Sequence, residues 1–394
     1  MGRARVDEEI RKMRFETLLE RHERGDLSQA EAAEILGISE RTFRRWQVRL
    51  RDEGPAGLVD RRLGKPSPRR ASVHEIARML DLYRGSYAEF TVKHFHEQLR
   101  KRHGYKLGYT VTKVHLQQAG LVRPAPKRSA HRKKRPRRPM AGMLLHQDAS
   151  RHAWLPGAAA APCDLVVTLD DATSAILSAF LVAEEGTASS LRGLREVVER
   201  HGLFCALYTD RGSHYFHTAE AGKPVDKGKL TQVGRALTQL GIEHIAAYSP
   251  QARGRSERAF RTLQDRLPKE LVLAGITTLE AANRWIAETY IAAYNAAFAV
   301  PAEQEGSAFV PDALGAWREI LAIQEERQVG NDNTVKWRGL TLQLPPSKLR
   351  PHFVKASVRV HEYPDGTLAV FLGPHRLADF NAAGKPLDTQ DKAA

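Results

Sequence analysis

Residues 249–261 read SPQARGRSERAFR and mark the start of a helix with separable faces. Apolar residues recur at helical intervals from Phe260 to Leu267, which predicts a buried face. At about 100° per residue, Glu257 and Arg261 share a neighbouring face. A carboxylate at the edge of a core, among basic groups, suits a metal ligand that faces a polyanion.

The composition indicates a soluble protein of several domains with an anionic partner. A chain of 394 residues exceeds one ordinary core, so we expect two to four domains. The net charge of +15 favours nucleic acid, although a well-solvated basic surface is an alternative. Cys163 and Cys205 are interpreted as reduced core residues. Without a long apolar run or a signal-peptide core, we expect a cytoplasmic, nucleoid-associated bacterial protein and no membrane contact.

Residues 1–60 predict a helix-turn-helix DNA-binding domain. Ser28 and Glu31 have the spacing of a capping box, and Gly37 supplies a turn before a second helix that Ser39 would cap. The exposed face of that helix carries basic residues expected to contact DNA, namely Arg41, Arg44, Arg45 and Arg49. A plain three-helix core with basic solvent-facing residues is the alternative.

Residues 73–123 predict a second helical, helix-turn-helix-like DNA-binding domain. Thr91 would cap its first long helix, and Val111 and Val114 would face inward from the next. Lys113 would then be available to DNA. The alternative is an ordinary helix pair, which any small helical domain can contain.

Residues 124–140 predict a flexible linker, because the segment is strongly basic, has no acid and cannot bury a core. Its simplest role is to follow DNA phosphates, with Arg132, Lys133, Lys134 and Arg135 as candidate contacts. A merely solvated tether is the alternative.

Residues 141–312 predict a mixed sheet covered by helices. Asp148 should end the first strand and Asp210 the fourth. If those strands are neighbours, both aspartates emerge at one sheet edge, and the helix described above brings Glu257 over them. Three oxygen ligands suit one or two Mg²⁺ ions, as phosphodiester chemistry requires.

Each of these acids has a simpler interpretation, because carboxylates at strand ends and helix starts are often caps or surface groups. Asp170 and Asp171, at the end of the second strand, are interpreted as turn-forming, with a metal-site role as the alternative. His146, His214 and His244 lack the spacing expected of a zinc site, and His214 is a candidate phosphate contact.

Residues 330–382 predict a small, barrel-like β module. Short alternating strands flank the turn at Pro364, Asp365 and Gly366, which is typical of a hairpin. The chain as a whole is therefore expected to be multidomain, with N-terminal helical units, a central α/β domain and a C-terminal β module.

Three motifs resemble those of the DDE transposases of bacterial insertion sequences, within the retroviral-integrase superfamily and closest to the ISNCY type. They are QD at 147–148, TDRGSH at 209–214 and YSPQARGRSER at 248–258, and the likeness covers nearly the whole chain. The resemblance implies an RNase H-like fold. It also implies a catalytic and metal-binding triad of Asp148, Asp210 and Glu257 with two Mg²⁺ ions, for which Mn²⁺ could substitute.

The resemblance further implies an enzyme that binds terminal inverted repeats of double-stranded DNA, hydrolyses the phosphodiester at the element ends and transfers the 3′-hydroxyl to target DNA. Joining two ends at once implies a homodimer or a larger synaptic assembly. Basic residues would line the DNA path near the metals, namely Arg253, Arg255, Arg258 and Arg261. At least two of these would be solvated helix charges in the alternative interpretation.

Two departures from the family pattern concern the second half of the triad. More residues separate Asp210 from Glu257 than in compact integrases, and Arg211 stands where integrases often have asparagine. Neither removes a ligand, so we expect an active site. The rival hypotheses are a non-catalytic DNA-binding regulator with the same fold and a hydrolytic nuclease without strand transfer.

Overall fold

The computed structural model describes residues 3–59, 70–124, 136–157, 161–218, 225–226, 228–248, 254–311, 315–346 and 349–387. Five of the predicted DNA contacts lie outside these residues, namely Arg132, Lys133, Lys134, Arg135 and Arg253. The chain divides into two units, of which the first comprises Met1–Leu82 with Thr110–His115 and the second comprises Tyr83–Tyr109 with Leu116–Ala394.

The N-terminal helices form around caps that the sequence encodes locally. They are α1 (Arg3–Glu23), α2 (Gln29–Leu36) and α3 (Glu40–Glu53), followed by a 3₁₀ turn (Gly54–Leu58). The predicted capping box of Ser28 and Glu31 is confirmed, Gly37 takes the left-handed conformation with φ 66°, and the Ser39 hydroxyl caps α3. Phe15 packs edge-on against Phe43 in the shared core, with ring centroids 5.1 Å apart.

Three further helices precede the sheet, namely α4 (Val73–Ser86), α5 (Val92–His103) and α6 (Tyr109–Gln118). Thr91 occupies the N-cap position of α5 but makes no capping hydrogen bond, and its hydroxyl instead donates to Asp265. The expectation that Val114 faces inward is wrong, because it is exposed while Thr112 and Leu116 are fully buried. The buried stripe of α6 follows an i, i+4 pair that begins at Thr112.

The central domain is a five-stranded mixed sheet in the order β3-β2-β1-β4-β7. The strands of the domain are β1 (Leu145–His152), β2 (Cys163–Asp170), β3 (Ile176–Val182), β4 (Ala206–Thr209), β5 (His217–Thr218), β6 (Val225–Asp226) and β7 (Glu243–Ala246). β5 and β6 do not belong to the five-stranded sheet but form a separate two-stranded hairpin. β2 runs antiparallel to β1 and β3, whereas β4 runs parallel to β1 and β7. The first and fourth strands are therefore neighbours, which is the condition under which Asp148 and Asp210 are expected to emerge at one sheet edge.

Helices cover both faces of this sheet. They are α7 (Thr187–His201), α8 (Gln232–Gln239), α9 (Gly254–Leu273), α10 (Leu279–Trp285) and α11 (Ile291–Phe298), with a π-helical turn (Ile286–Tyr290) between the last two. One core joins α9, α10 and α11 to the sheet, and the other joins α7 and α8 to the opposite face. The predicted buried stripe of α9 is confirmed, because Phe260, Leu263 and Leu267 are buried in the first core.

The C-terminal region is all-β and follows a short helix. Its elements are α12 (Trp317–Ile320), β8 (Ile323–Gln328), β9 (Thr334–Trp337), β10 (Leu340–Gln343), β11 (Ser357–Glu362), β12 (Leu368–Leu372), β13 (His375–Phe380) and β14 (Pro386–Leu387). Five of these strands form a sheet in the order β14-β13-β12-β11-β8, and β9 and β10 form a separate hairpin. The sheet and the hairpin share one hydrophobic core. β8 and β14 are the outer strands of that sheet, so a closed barrel stays a prediction.

No helix within the described ranges is both long enough and apolar enough to cross a lipid bilayer.

Candidate active site

Asp148 lies on β1, and Asp210 directly follows the neighbouring parallel strand β4. β1 and β4 pair Leu145 with Leu207 and His146 with Tyr208. If this register is extended by two residues, Asp148 lies opposite Asp210, the first residue after β4. Neighbouring strands are about 4.8 Å apart, so both carboxylates leave the sheet at one place. This is the juxtaposition that the sequence motifs predict.

The expectation that Asp148 ends its strand is wrong, because β1 continues to His152. The pairing of β1 with β4 ends near Asp148, because β4 stops at Thr209. On its other side, β1 continues past Asp148 as the antiparallel partner of β2. Beyond Asp148, β1 therefore has no strand partner among the described residues on the side of β4 but is still paired with β2 on the other side. Asp148 is largely buried, with 8% of its surface exposed.

The segment after β4 is organised around the Asp210 carboxylate. The backbone N–H of Gly212 donates to Asp210 Oδ1 at 2.8 Å. The Thr209 hydroxyl lies 2.9 Å from the Asp210 carbonyl and 3.0 Å from Nε2 of His244. Burial lowers the pKa of His244 to about 4, so its ring is neutral where it contacts Thr209.

Tyr215 lies behind the two aspartates, and its importance could not be recognised from the sequence. It is buried, and its hydroxyl donates to Oε1 of Gln147 at 3.1 Å. Burial, with the nearby charges of Glu185, Asp210 and Asp148, raises the pKa of Tyr215 well above its ordinary value. The hydroxyl is therefore a neutral donor that holds Gln147, the residue next to Asp148.

Gln147 faces the opposite side of β1 from Asp148 and anchors the strand. Its amide nitrogen donates to Thr168 Oγ1 at 3.1 Å and to the Ser190 carbonyl at 3.2 Å. Gly193 permits this arrangement, since a Cβ there would lie 2.5 Å from the same nitrogen. The motif residue Gln147 is thus a buried structural neighbour of the carboxylate.

Helix α9 carries Glu257 along the same face of β1 that presents Asp148. Gln264 lies two helical turns after Glu257 on one face of α9, and its amide donates to Ser150 Oγ at 2.9 Å. Ser150 lies two residues after Asp148, so both point to one side of the sheet. Glu257 itself is exposed.

Asp170 and Asp171 at the end of β2 have different surroundings. Asp170 accepts from the backbone N–H and the hydroxyl of Thr173 at 2.8 and 2.7 Å, which confirms its predicted turn-forming role. Asp171 is buried and receives hydrogen bonds from His146 and Arg255. Burial alone would raise the pKa of Asp171, but these donors and the Arg138 backbone N–H hold it well below its ordinary value.

Within the described part of the chain, no three His, Cys, Asp or Glu side chains gather closely enough to hold a metal ion. Glu257, exposed on α9, does not form a three-carboxylate cluster with Asp148 and Asp210. The two aspartates match a divalent cation in the kind of their donors, since Mg²⁺ prefers carboxylate oxygens. The triad with its metals stays a prediction.

The remaining predicted DNA-binding residues, and His214, differ in their exposure and in their side-chain contacts. Those with exposed side chains are Arg41, Arg44, Arg45, Lys113, Arg258 and Arg261, and Arg49 is half-buried. Arg255 differs, because its side chain is only 15% exposed and lies against Asp171. His214 lies 3.4 Å from Oε1 of Glu185. Contacts of these residues with DNA stay predictions.

Comparison with known proteins assigns the chain to a family. A helix-turn-helix domain family matches residues 14–67. The putative transposase y4bF of Sinorhizobium fredii (strain NBRC 101917 / NGR234) is 32% identical over 360 residues, which cover 90% of this chain and 77% of that protein. The chain therefore belongs to the insertion-sequence transposase family.

Other matches are partial or distant. The transposase for insertion sequence IS1202 of Streptococcus pneumoniae is 37% identical over 164 residues, which cover 42% of this chain and 34% of that protein. A simian T-cell lymphotropic virus intasome structure matches with 15% identity and a TM-score of 0.33, over 69% of this chain and 88% of that one. The HTLV-2 integrase catalytic core in complex with magnesium matches with 16% identity and a TM-score of 0.28, over 38% and 88%.

Proposed function

We propose that this chain is a DNA transposase that cuts the ends of an insertion sequence and joins their 3′-hydroxyls to target DNA. The observation that carries the proposal is the parallel pairing of β1 with β4, because Asp148 lies on β1 and Asp210 directly follows β4. The contact of Gln264 with Ser150 supports a position for Glu257 on the same side of the sheet. Membership of the insertion-sequence transposase family supports it. In this proposal the central domain is an RNase H-like catalytic core.

The three carboxylates are proposed to hold two Mg²⁺ ions, or Mn²⁺ in their place. When bound, such ions lower the pKa of an attacking oxygen and stabilise the departing one. The protein contributes the pairing of β1 with β4, which carries Asp148 and leads into Asp210. Tyr215, whose pKa is raised by burial and by nearby carboxylates including these two, stays a neutral hydroxyl near them. Arg258 and Arg261, exposed on α9, would hold DNA phosphates near Glu257.

DNA recognition is proposed to reside in the helices before the sheet. α3 is capped by Ser39 and exposes Arg41, Arg44 and Arg45 on one side, as a recognition helix in the major groove would. Lys113 on α6 would add a contact, and the basic residues before the sheet would follow phosphates. Since two ends must be joined together, the active species would be a dimer or a larger assembly on DNA.

The test is cleavage and joining of labelled DNA that carries the ends of the element itself, taken from the sequence that flanks the gene. Wild-type protein with Mg²⁺ should give nicked and joined products. Glu257→Gln keeps the size of the side chain and removes its charge, so it should bind the same DNA and form neither product. Glu288→Gln, an exposed carboxylate beyond α9, is the matched control and should behave as wild type.

The rival functions predict other outcomes of the same assay. Binding without cutting under Mg²⁺ and Mn²⁺ would favour a regulator, and cutting without joining would favour a nuclease. Full activity of Glu257→Gln would remove Glu257 from the triad.

A further inference from the structure

Asp171 joins three separate parts of the chain through one buried carboxylate. His146 Nε2 on β1 donates to Oδ1 at 2.7 Å, and the Arg255 guanidinium on α9 donates to the same oxygen. The backbone N–H of Arg138 donates to Oδ2 at 2.7 Å. We call this set, formed by Asp171 with His146, Arg255 and Arg138, the Asp171 junction.

The junction touches both carboxylate-bearing elements at equivalent distances along the chain. His146 lies two residues before Asp148 on β1, and Arg255 lies two residues before Glu257 on α9. Gln264 and Ser150 make a second contact between the same helix and strand. The two contacts bracket the stretch of α9 that contains Glu257, so they set where this stretch lies relative to Asp148.

Arg137, near the end of the predicted basic linker, also contacts the turn that carries Asp171. The Arg137 guanidinium donates to the backbone carbonyls of Asp171 and Ala172 at 3.2 and 2.9 Å and to Ser174 Oγ at 2.8 Å. The chain therefore enters the central domain on the β2–β3 turn that carries Asp171.

A contribution to folding stability does not by itself explain why the Asp171 junction consists of buried charged groups. Replacing a buried ion pair by apolar side chains is often neutral or stabilising, because the charges lose their hydration. A carboxylate with several charged and neutral donors instead specifies one geometry, since any displacement leaves a buried charge unpaired. What this geometry specifies is the position of the first turns of α9.

We propose that Asp171 is a positioning residue, which holds the first turns of α9 against β1 so that Glu257 can act together with Asp148 and Asp210. The role of Glu257 in this inference rests on the proposed function. The physical link between Asp171 and the start of α9 does not, so it can be tested separately.

The primary test is hydrogen–deuterium exchange of the full-length chain with Asp171→Asn, followed in peptides from each half of α9. Without the negative charge, amides at 255–260 should exchange about tenfold faster, while those at 264–273 should remain protected. Asp164→Asn is the matched control, because Asp164 is also a buried β2 carboxylate but bonds the Glu185 backbone N–H. It should leave exchange in α9 unchanged.

DNA binding and the Mg²⁺ dependence of DNA cleavage provide the second readout. Binding of element-end DNA, measured by anisotropy with Ca²⁺ in place of Mg²⁺, should stay within about twofold of wild type, because no DNA contact is removed. The Mg²⁺ concentration for half-maximal cleavage should rise severalfold, and a purely structural role would not change it in a folded variant. Inactive wild-type protein would refute the proposed function, and the exchange experiment would still decide the role of Asp171.

Arg255→Gln addresses the same link from the partly exposed helix if Asp171→Asn does not fold. It should accelerate exchange in the same turns, and adding Asp171→Asn to it should cause little further change, because both remove one interaction. Unchanged exchange at 255–260 in either folded variant would overturn the proposal.

Discussion

Gly212 lies so close to Asp210 that a Cβ at this position would crowd the carboxylate. A Cβ on Gly212 would lie 3.0 Å from Asp210 Oδ1 and 3.0 Å from Cε1 of His214. The Gly212 backbone N–H also donates to that oxygen. The glycine of the TDRGSH motif is therefore explained by close approach to an acidic side chain.

Gly212→Ala should consequently reduce DNA cleavage by about tenfold or more, because the methyl group would crowd the Asp210 carboxylate, to which we assign a catalytic role. Binding of element-end DNA should be retained. Cleavage and binding assays on the same preparation separate the two effects. Gly85→Ala, where a Cβ would meet nothing within 4 Å, is the control and should keep both.

His244 should make the free energy of unfolding fall in mild acid. Its pKa is about 4 in the folded protein, below the ordinary 6.5, so the unfolded chain takes up a proton first as the pH falls. The stabilisation is complete above pH 6.5 and is lost towards pH 4, with a loss of roughly 2 kcal/mol already at pH 5.

His244→Gln removes the titrating ring and keeps a polar group near Thr209. Urea unfolding at pH 7 and pH 5 should show a smaller drop for this variant than for wild type, by about the same 2 kcal/mol. If both proteins lose the same amount, another group causes the acid sensitivity.

The helix-turn-helix unit should depend on the Ser39 cap. The Ser39 hydroxyl accepts the Thr42 backbone N–H at 3.3 Å, and Ser39→Ala should cost about 1 kcal/mol of helix stability. Faster hydrogen exchange in the first turn of α3 and weaker DNA binding would be the measurable results. Ser39→Asp keeps an acceptor at this position and should restore exchange protection.

The sequence predicted best the features that depend on neighbouring residues. The capping box of Ser28 and Glu31 is a local signal, since its two hydrogen bonds join residues three apart. The buried stripe of α9 follows from helical periodicity in the same way. The sequence alone does not establish that β1 and β4 are adjacent, because the two strands are distant in the chain.

Features that depend on distant contacts were missed or misplaced. β1 extends past Asp148 because β2 pairs with it as far as His152, and no local pattern encodes that length. Asp171 lies in the predicted turn, but its buried carboxylate pairs with Arg255, which is 84 residues away in the chain. Such ion pairs form only after the sheet and α9 have packed together, so residue spacing cannot reveal them.

Glu270 should be important for the attachment of α5 to α9. Its Oε1 accepts from His94 Nε2 at 2.7 Å and from Gln98 Nε2 at 2.8 Å, and both donor side chains are buried. Glu270→Ala would leave both donors without this acceptor, which should lower the free energy of unfolding by about 2–3 kcal/mol. Urea unfolding of the full-length protein measures this loss.

Glu288→Ala is the comparison for this prediction, because Glu288 is exposed and its removal should change the free energy of unfolding by less than about 0.5 kcal/mol. Hydrogen exchange adds a local readout, since α5 should lose protection in Glu270→Ala while the β1–β2 pair keeps it. Equal unfolding free energies for the two variants would mean that water replaces the lost acceptor, and the contact would then contribute little to holding α5 on α9.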